Sequence, residues 1–230
     1  MVQEPLYSLP MKTKKDLRIP FTWEERRPIH LERFFYVPKQ CDVSGFERVR
    51  WDDVRVFGAR APVHVEFCSG NGEWIGRQAK ERPDIHWVAI ELRFDLARKI
   101  WLKSFREELP NLYVVCAEAA LFTREFIEPR SVAKSYVHFP DPWPKLRHAK
   151  NRLIQAPFLA SLANVTERGR GVTLVTDDLP YHQRMIDAFA AVSAWNRLPV
   201  QEVHSPADSF FARLWQSKGR SAHTLRYACE

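Results

Sequence analysis

The sequence predicts an α/β fold with a mostly parallel sheet and helices on both faces. Three observations carry this. From about residue 62 onwards, short apolar runs alternate with longer amphipathic ones. The short runs end in, or lead directly into, a carboxylate. A length of 230 residues suits one domain of generous size, with room for a small appendage.

Residues 1–60 are rich in proline, charge and aromatics and show little sustained period, so they are expected to form an N-terminal arm ahead of a domain over 61–230. Within the arm, basic residues interleave with Phe21, Trp23, Phe34 and Phe35. That interleaving suits RNA, because cations meet phosphates and rings stack on bases. Packing of the same rings on the domain is the preferred alternative. The first domain strand is "VHVEF" (63–67), and the segment after it has helical spacing at Ile75 and Ala79 and stops at Pro83. "HWVAIE" (86–91) is a second strand, followed by a helix with Leu96, Ile100, Leu102 and Phe105 on its apolar side. "NLYVVC" (111–116) and "SVAKSYVHF" (131–139) are the third and fourth strands. A helix over about 153–166 holds Pro157 near its first turn, where proline is tolerated. "GVTLVTD" (171–177) is a fifth strand, with a helix after it.

Lys and Arg total 35 against 28 acids, giving a net charge of +7 and a pI near 9.4, which allows a polyanionic partner. Four scattered cysteines, with no CxxC pair and no histidine cluster nearby, argue against a metal or disulfide framework and for a reducing compartment. No apolar run approaches the ~18 residues of a membrane span. Lys12, Lys14 and Lys15 have no apolar stretch behind them, so no secretory signal is read. A cytoplasmic protein without a metal is expected; monomer and homodimer stay open.

In an open parallel sheet, ligands lie at the carboxyl ends of the strands, and the acids are there. Gly70 and Gly72 follow the first strand and let the backbone turn tightly beside a ligand. Glu91 ends the second strand about 20 residues on, the offset at which an acid accepts from ribose hydroxyls. Glu118, just past the third strand, would reach an adenine amino group. The dinucleotide fingerprint GxGxxG is absent, which favours S-adenosyl-L-methionine, a cofactor with no pyrophosphate to seat. Glu66 would then face its cationic methionine end. The fourth strand runs into "FPDPWPKLRHAKNR" (139–152), in which prolines stiffen the loop around Asp141 and basic residues follow at Lys145, Arg147, Lys150 and Arg152. A turn followed by a solvated helix face is the plain reading of that stretch. A rigid acid for a base, followed by a comb of cations for a phosphate backbone, is the functional one.

The same block resembles the "FPDPW-K-RH-KRR" hallmark of the bacterial tRNA (guanine-N7)-methyltransferases. "EFCSGNGE" (66–73) is similar to that family's "EIGFGNGE", "VAIELR" (88–93) to its second-strand end and "VTDDLPY" (175–181) to its "TD-x-x-PY" segment. The resemblance runs from about residue 60 to the C-terminus. It implies a Rossmann-like class I fold with a seven-stranded sheet, and transfer of methyl from S-adenosyl-L-methionine to a guanine N7 in the tRNA variable loop. It further implies that Glu66, Gly70, Gly72, Glu91, Glu118 and Asp141 contact the cofactor and that Asp141 is the catalytic carboxylate. Lys145, Asp177, Ser209 and Phe211 would contact substrate, and Arg147, Lys150 and Arg152 the RNA. Three departures stand out: Cys68 replaces a glycine, Glu118 replaces the usual Asp, and "SFFARLW" (209–215) has Ala212 and Leu214 where the family has Glu and a basic residue. The last of these keeps open an RNA-binding protein of the same fold with weak or lost turnover.

Overall fold

The computed structural model describes residues 27–39, 41, 43, 45–200, 217, 219 and 221–230. Nine strands among them form one sheet: β1 (Ile29–Leu31), β2 (Phe34–Tyr36), β3 (Val63–Phe67), β4 (His86–Glu91), β5 (Leu112–Cys116), β6 (Val132–His138), β7 (Thr166–Thr176), β8 (Trp195–Leu198) and β9 (His223–Cys229). Their order is β1-β2-β5-β4-β3-β6-β7-β9-β8. Pairing is parallel from β2 through β7 and antiparallel for β1–β2, β7–β9 and β8–β9. The mostly parallel sheet is as expected; the strand count is nine among the described residues rather than seven.

The extra strands at one edge come from residues assigned to the arm. Adjacent residues of a strand face opposite sides of the sheet. In β2 this sends Phe34 into one core layer and Phe35 into the other, both almost fully buried. β2 runs parallel to β5, with Phe34 beside Val114. The indole N–H of Trp101 donates to Glu32 O at 2.8 Å and ties the β1–β2 turn down. Val49, Trp51 and Val56 join the same core, so packing is continuous across residue 60. Phe34 and Phe35 are therefore core residues, not platforms for bases; Phe21 and Trp23 lie outside the described residues.

Helices α1 (Glu73–Glu81) and α2 (Phe94–Arg106) cover one face. The other is covered by α3 (Ala119–Glu125), α4 (Ala156–Val165) and α5 (Leu179–Ala190). The buried stripe of α2 is Ala97, Ile100, Trp101 and Ser104. Leu96, Leu102 and Phe105 are only partly covered, so the helix is rotated from the face that apolar residues alone suggested. No helix among the described residues is long and apolar enough to cross a membrane, and no group of three or more His, Cys, Asp or Glu is placed to hold a metal ion.

Strand order reverses at β3: β4 and β5 lie on one side of it, β6 and β7 on the other. A crevice opens outside the carboxyl ends of strands at such a reversal. Here it lies between the loops that leave β3 and β6.

Candidate functional site at the carboxyl ends of β3, β4 and β6

The loop after β3 makes a sharp turn. Cys68 has φ of 60°, Gly70 56° and Gly72 68°. Gly72 has no room for a side chain: a Cβ there would stand 2.5 Å from Ile100 Cγ1. Cys68 carries a side chain in the left-handed region, which costs an ordinary residue about 1–3 kcal/mol. That conformation gives a physical reason for glycine at this place in the motif it resembles. Glu91, buried at the end of β4, holds the loop from the side. Its Oε2 accepts from Gly70 N and its Oε1 from Arg93 N, both at 2.8 Å. Burial raises the Glu91 pKa above the ordinary carboxylate value, while the N–H groups of Arg93 and Gly70 pull it back. Each oxygen still has a lone pair for a second donor.

Glu66 lies on β3, 3% exposed. Its Oε1 is 2.9 Å from His138 Nδ1 at the end of β6, a bond that spans the strand reversal. Trp74 packs edge-on against the imidazole. Glu66 Oε2 has no hydrogen-bond partner although it is buried. A carboxylate oxygen in that position calls for a donor, best a cationic one.

The loop after β6 is as constrained as the prolines imply. Phe139 and Trp143 have φ of 48° and 42°, both left-handed. Between them Asp141 is exposed, and its Oδ1 accepts from Trp143 N at 3.2 Å, an Asx turn. Trp143 stands edge-on to His148 at 5.5 Å. Behind the loop, Arg152 is 8% exposed and donates to Pro142 O and Trp143 O, both at 2.8 Å. Arg152 therefore leaves the comb of RNA contacts: its guanidinium points inward and clamps two carbonyls. Lys145, Arg147 and Lys150 do face solvent, on or just before a 3₁₀ turn (Leu146–Asn151).

The half-buried Cys68 thiol is pushed up to about 12, by burial first and then by the negative charges of Glu91, Glu66 and Asp141. Three acids predicted as site residues thus act on one sulfur. Glu118 stands exposed at the start of α3, one strand further out than Glu91. Asp177 follows β7, the neighbour of β6, and Asp178 beside it caps α5 by accepting from Tyr181 N at 2.7 Å. Ser209 and Phe211, like Ala212 and Leu214, lie outside the described residues. Sequence reasoning passed over His138, although a histidine inside an apolar strand just ahead of the stiffened loop was a signal. It also passed over Leu92, Leu146 and Leu179, exposed leucines that follow β4, β6 and β7.

The same architecture recurs in a solved variant of the 16S rRNA (adenine(1408)-N(1))-methyltransferase from Catenulisporales acidiphilia, which holds its cosubstrate SAM. The TM-score is 0.55 at 17% identity, with 75% of this chain and 87% of that one covered. A family model described as a putative methyltransferase matches residues 60–224. The fold is thus that of an S-adenosyl-L-methionine-dependent methyltransferase, and a buried carboxylate oxygen without a partner, as at Glu66, fits that cofactor's ammonium.

The sequence relatives narrow the class. A tRNA (guanine-N(7)-)-methyltransferase from Chlamydia abortus is 37% identical over 214 residues, 90% of this chain and 93% of that protein. One from Chlamydia felis is 39% identical over 209 residues, covering 90% and 92%. The chain belongs to the tRNA (guanine-N7)-methyltransferase family.

Proposed function

We propose that the protein methylates N7 of a guanine in the variable loop of tRNA, giving 7-methylguanosine, in the cytoplasm where tRNA is used. Family membership names the reaction, and the observation that carries it to this chain's residues is the buried, unpartnered Glu66 oxygen at the strand reversal, beside the glycine turn that Glu91 holds. When bound, S-adenosyl-L-methionine supplies the methyl group as an electrophile. Glu91 would take its ribose hydroxyls on the free lone pairs, Glu66 its ammonium through Oε2, and Glu118 its adenine amino group. Gly70 and Gly72 would let the backbone approach.

Guanine N7 carries a lone pair and no proton, so no general base has to act first. The residues have to hold N7 in line and meet the positive charge that grows on the purine. Asp141 does the second, accepting from the guanine N1–H or N2–H through the oxygen its Asx turn leaves over. Asp177 would accept the other of these. An Arg or Lys on N7, the usual way proteins read guanine, would block attack, so the base is better held from its opposite edge, where N1–H and N2–H donate to acids. Trp143 would wall or stack on the base. Lys145 reaches substrate, and Arg147 and Lys150 meet the backbone that carries it. Labelled methyl transfer to bulk tRNA, with the product nucleoside identified, tests the reading. No transfer, with tRNA binding intact, would favour a binding protein of the same fold.

Two outcomes follow from the placements. Glu66→Gln keeps an acceptor for His138 but removes the charge, so affinity for S-adenosylhomocysteine should fall about tenfold or more. The ligand-free variant should melt no lower than the wild type, because a buried carboxylate with one oxygen unpartnered costs more than an amide. Calorimetry and thermal melts check both halves; unchanged affinity removes Glu66 from the ammonium site. For the comb, Arg147→Ala with Lys150→Ala should weaken tRNA binding and flatten the slope of log affinity against log salt by roughly 0.7–0.9 for each phosphate no longer neutralised. An unaltered slope makes those side chains a solvated face.

A further inference from the structure

A second hollow lies at the other end of the sheet, where β3, β6 and β7 begin. It encloses about 410 Å³, the size of a small-ligand pocket, and none of the site residues described above lines it. Sheet register shows how it forms. Lys134, Gly171 and Ala228 stand side by side on β6, β7 and β9, and two residues along stand Tyr136, Thr173 and Arg226 on the same face. Small residues on the middle strand therefore separate two long cations. Gly171 cannot be larger, because a Cβ there would stand 2.0 Å from Tyr227 O. Arg82 and Arg170 close the rim, and Asp84 is the one carboxylate in the lining.

Asp84 is already taken by Arg82, through bonds of 2.9 and 3.0 Å. Among the described residues, the ion pair of Arg170 is an exposed contact to Glu167 at 3.7 Å. Lys134 lies over the Tyr136 ring, and Arg226 makes one long bond to Pro199 O at 3.4 Å. Neither has a carboxylate partner among the described residues. Burial, and then the charge of Arg226, hold the Lys134 ammonium below its ordinary pKa. His64, whose buried Nδ1 has no partner, is pushed down to about 4, by burial first and then by Lys134, Arg82 and Arg170. Three cations bear on one imidazole, and the one anion that acts on it, Asp84, is the carboxylate already bonded to Arg82.

We infer that this hollow binds a phosphate group, and that in the working enzyme the group is a backbone phosphate of the substrate tRNA. The second clause rests on tRNA being the substrate. Asp141 lies seven positions after Lys134, so their Cα atoms are at most ~25 Å apart, a span a tRNA covers. RNA reaching both would run along β6.

The test uses the full chain and two probes, inorganic pyrophosphate and tRNA. The wild type should bind pyrophosphate, which should compete with tRNA. Lys134→Met with Arg226→Gln should abolish pyrophosphate binding, lower tRNA affinity about tenfold and flatten its salt slope by roughly 0.7–0.9 per phosphate released. S-adenosylhomocysteine affinity, a check on folding, should stay as it was. Arg170→Ala alters an exposed side chain and should act in the same direction, more weakly, which keeps the test open if the double variant misfolds. Lost pyrophosphate binding with unchanged tRNA affinity and slope would assign the hollow to a free phosphate and overturn the RNA source. Unaltered binding of both probes in all variants would overturn the site. If the wild type transfers no methyl to tRNA, the substrate reading fails, while the pyrophosphate result still decides the hollow.

Discussion

Asp141→Asn should turn over roughly 10²–10³-fold more slowly than the wild type, with tRNA affinity changed far less. The structure makes this substitution a clean one. Asp141 Oδ1 accepts from Trp143 N, and the Asn oxygen can accept the same bond, so the Asx turn survives. What disappears is the charge. That charge matters little to a neutral guanine and much to a purine turning cationic, so the loss belongs in kcat. Cofactor affinity has to be measured alongside and saturation ensured, because Asp141 follows β6, the strand that pairs with β3 and its glycine turn. The rate should show no steep dependence on a group titrating near neutrality, since N7 has no proton to lose. A variant within a few-fold of wild-type kcat, at saturating cofactor and tRNA, would reduce Asp141 to a turn residue.

Arg152→Met should destabilise the fold by about 2–4 kcal/mol and slow turnover, because hydrogen bonds to a buried charged group are worth about 1.5–3 kcal/mol each and do not simply add. Methionine keeps the aliphatic stem, so the loss falls on the bonds to Pro142 O and Trp143 O. Those carbonyls flank the loop that holds Asp141 between two left-handed residues. Without the fork, the loop can relax toward ordinary φ values and carry the carboxylate away. Lysine has no fork and cannot reproduce both bonds, so Arg152→Lys should recover only part of the loss. Denaturant unfolding and the salt dependence of tRNA binding separate the roles. A comb residue would flatten the salt slope and leave stability alone; a clamp does the reverse.

Arg152 also marks where sequence reading stops. In "RHAKNR" nothing distinguishes Arg147 from Arg152, because the pattern of basic residues is blind to which way a guanidinium turns. The site acids were legible for the opposite reason: the chain reverses at each strand end, and a charged residue closing an apolar run has few places to go. β3, β4, β5 and β6 were read from such runs. β2 was not, since three residues of "FFY" give no period, and their burial depends on β5, 80 residues away. β7 begins at Thr166 rather than 171, through the polar "TERGRG", because its pairing with β6 starts at Val132–Thr166 and then shifts register. β9 was readable and passed over: Leu225, Tyr227 and Cys229 alternate with Thr224, Arg226 and Ala228, buried against more exposed.

The docking of β2 on β5 also orders events in time. At 5–20 residues per second, β2 leaves the ribosome roughly 4–16 s before the strand it must pair with. Through that interval its two phenylalanines have no β5 to lie on, and for most of it the turn ahead of them has no Trp101 to hold it. β4 and β3 can pair meanwhile, being close in sequence. An early strand thus becomes a late arrival, a short aromatic segment that newly made chain must keep from other partners until β5 appears.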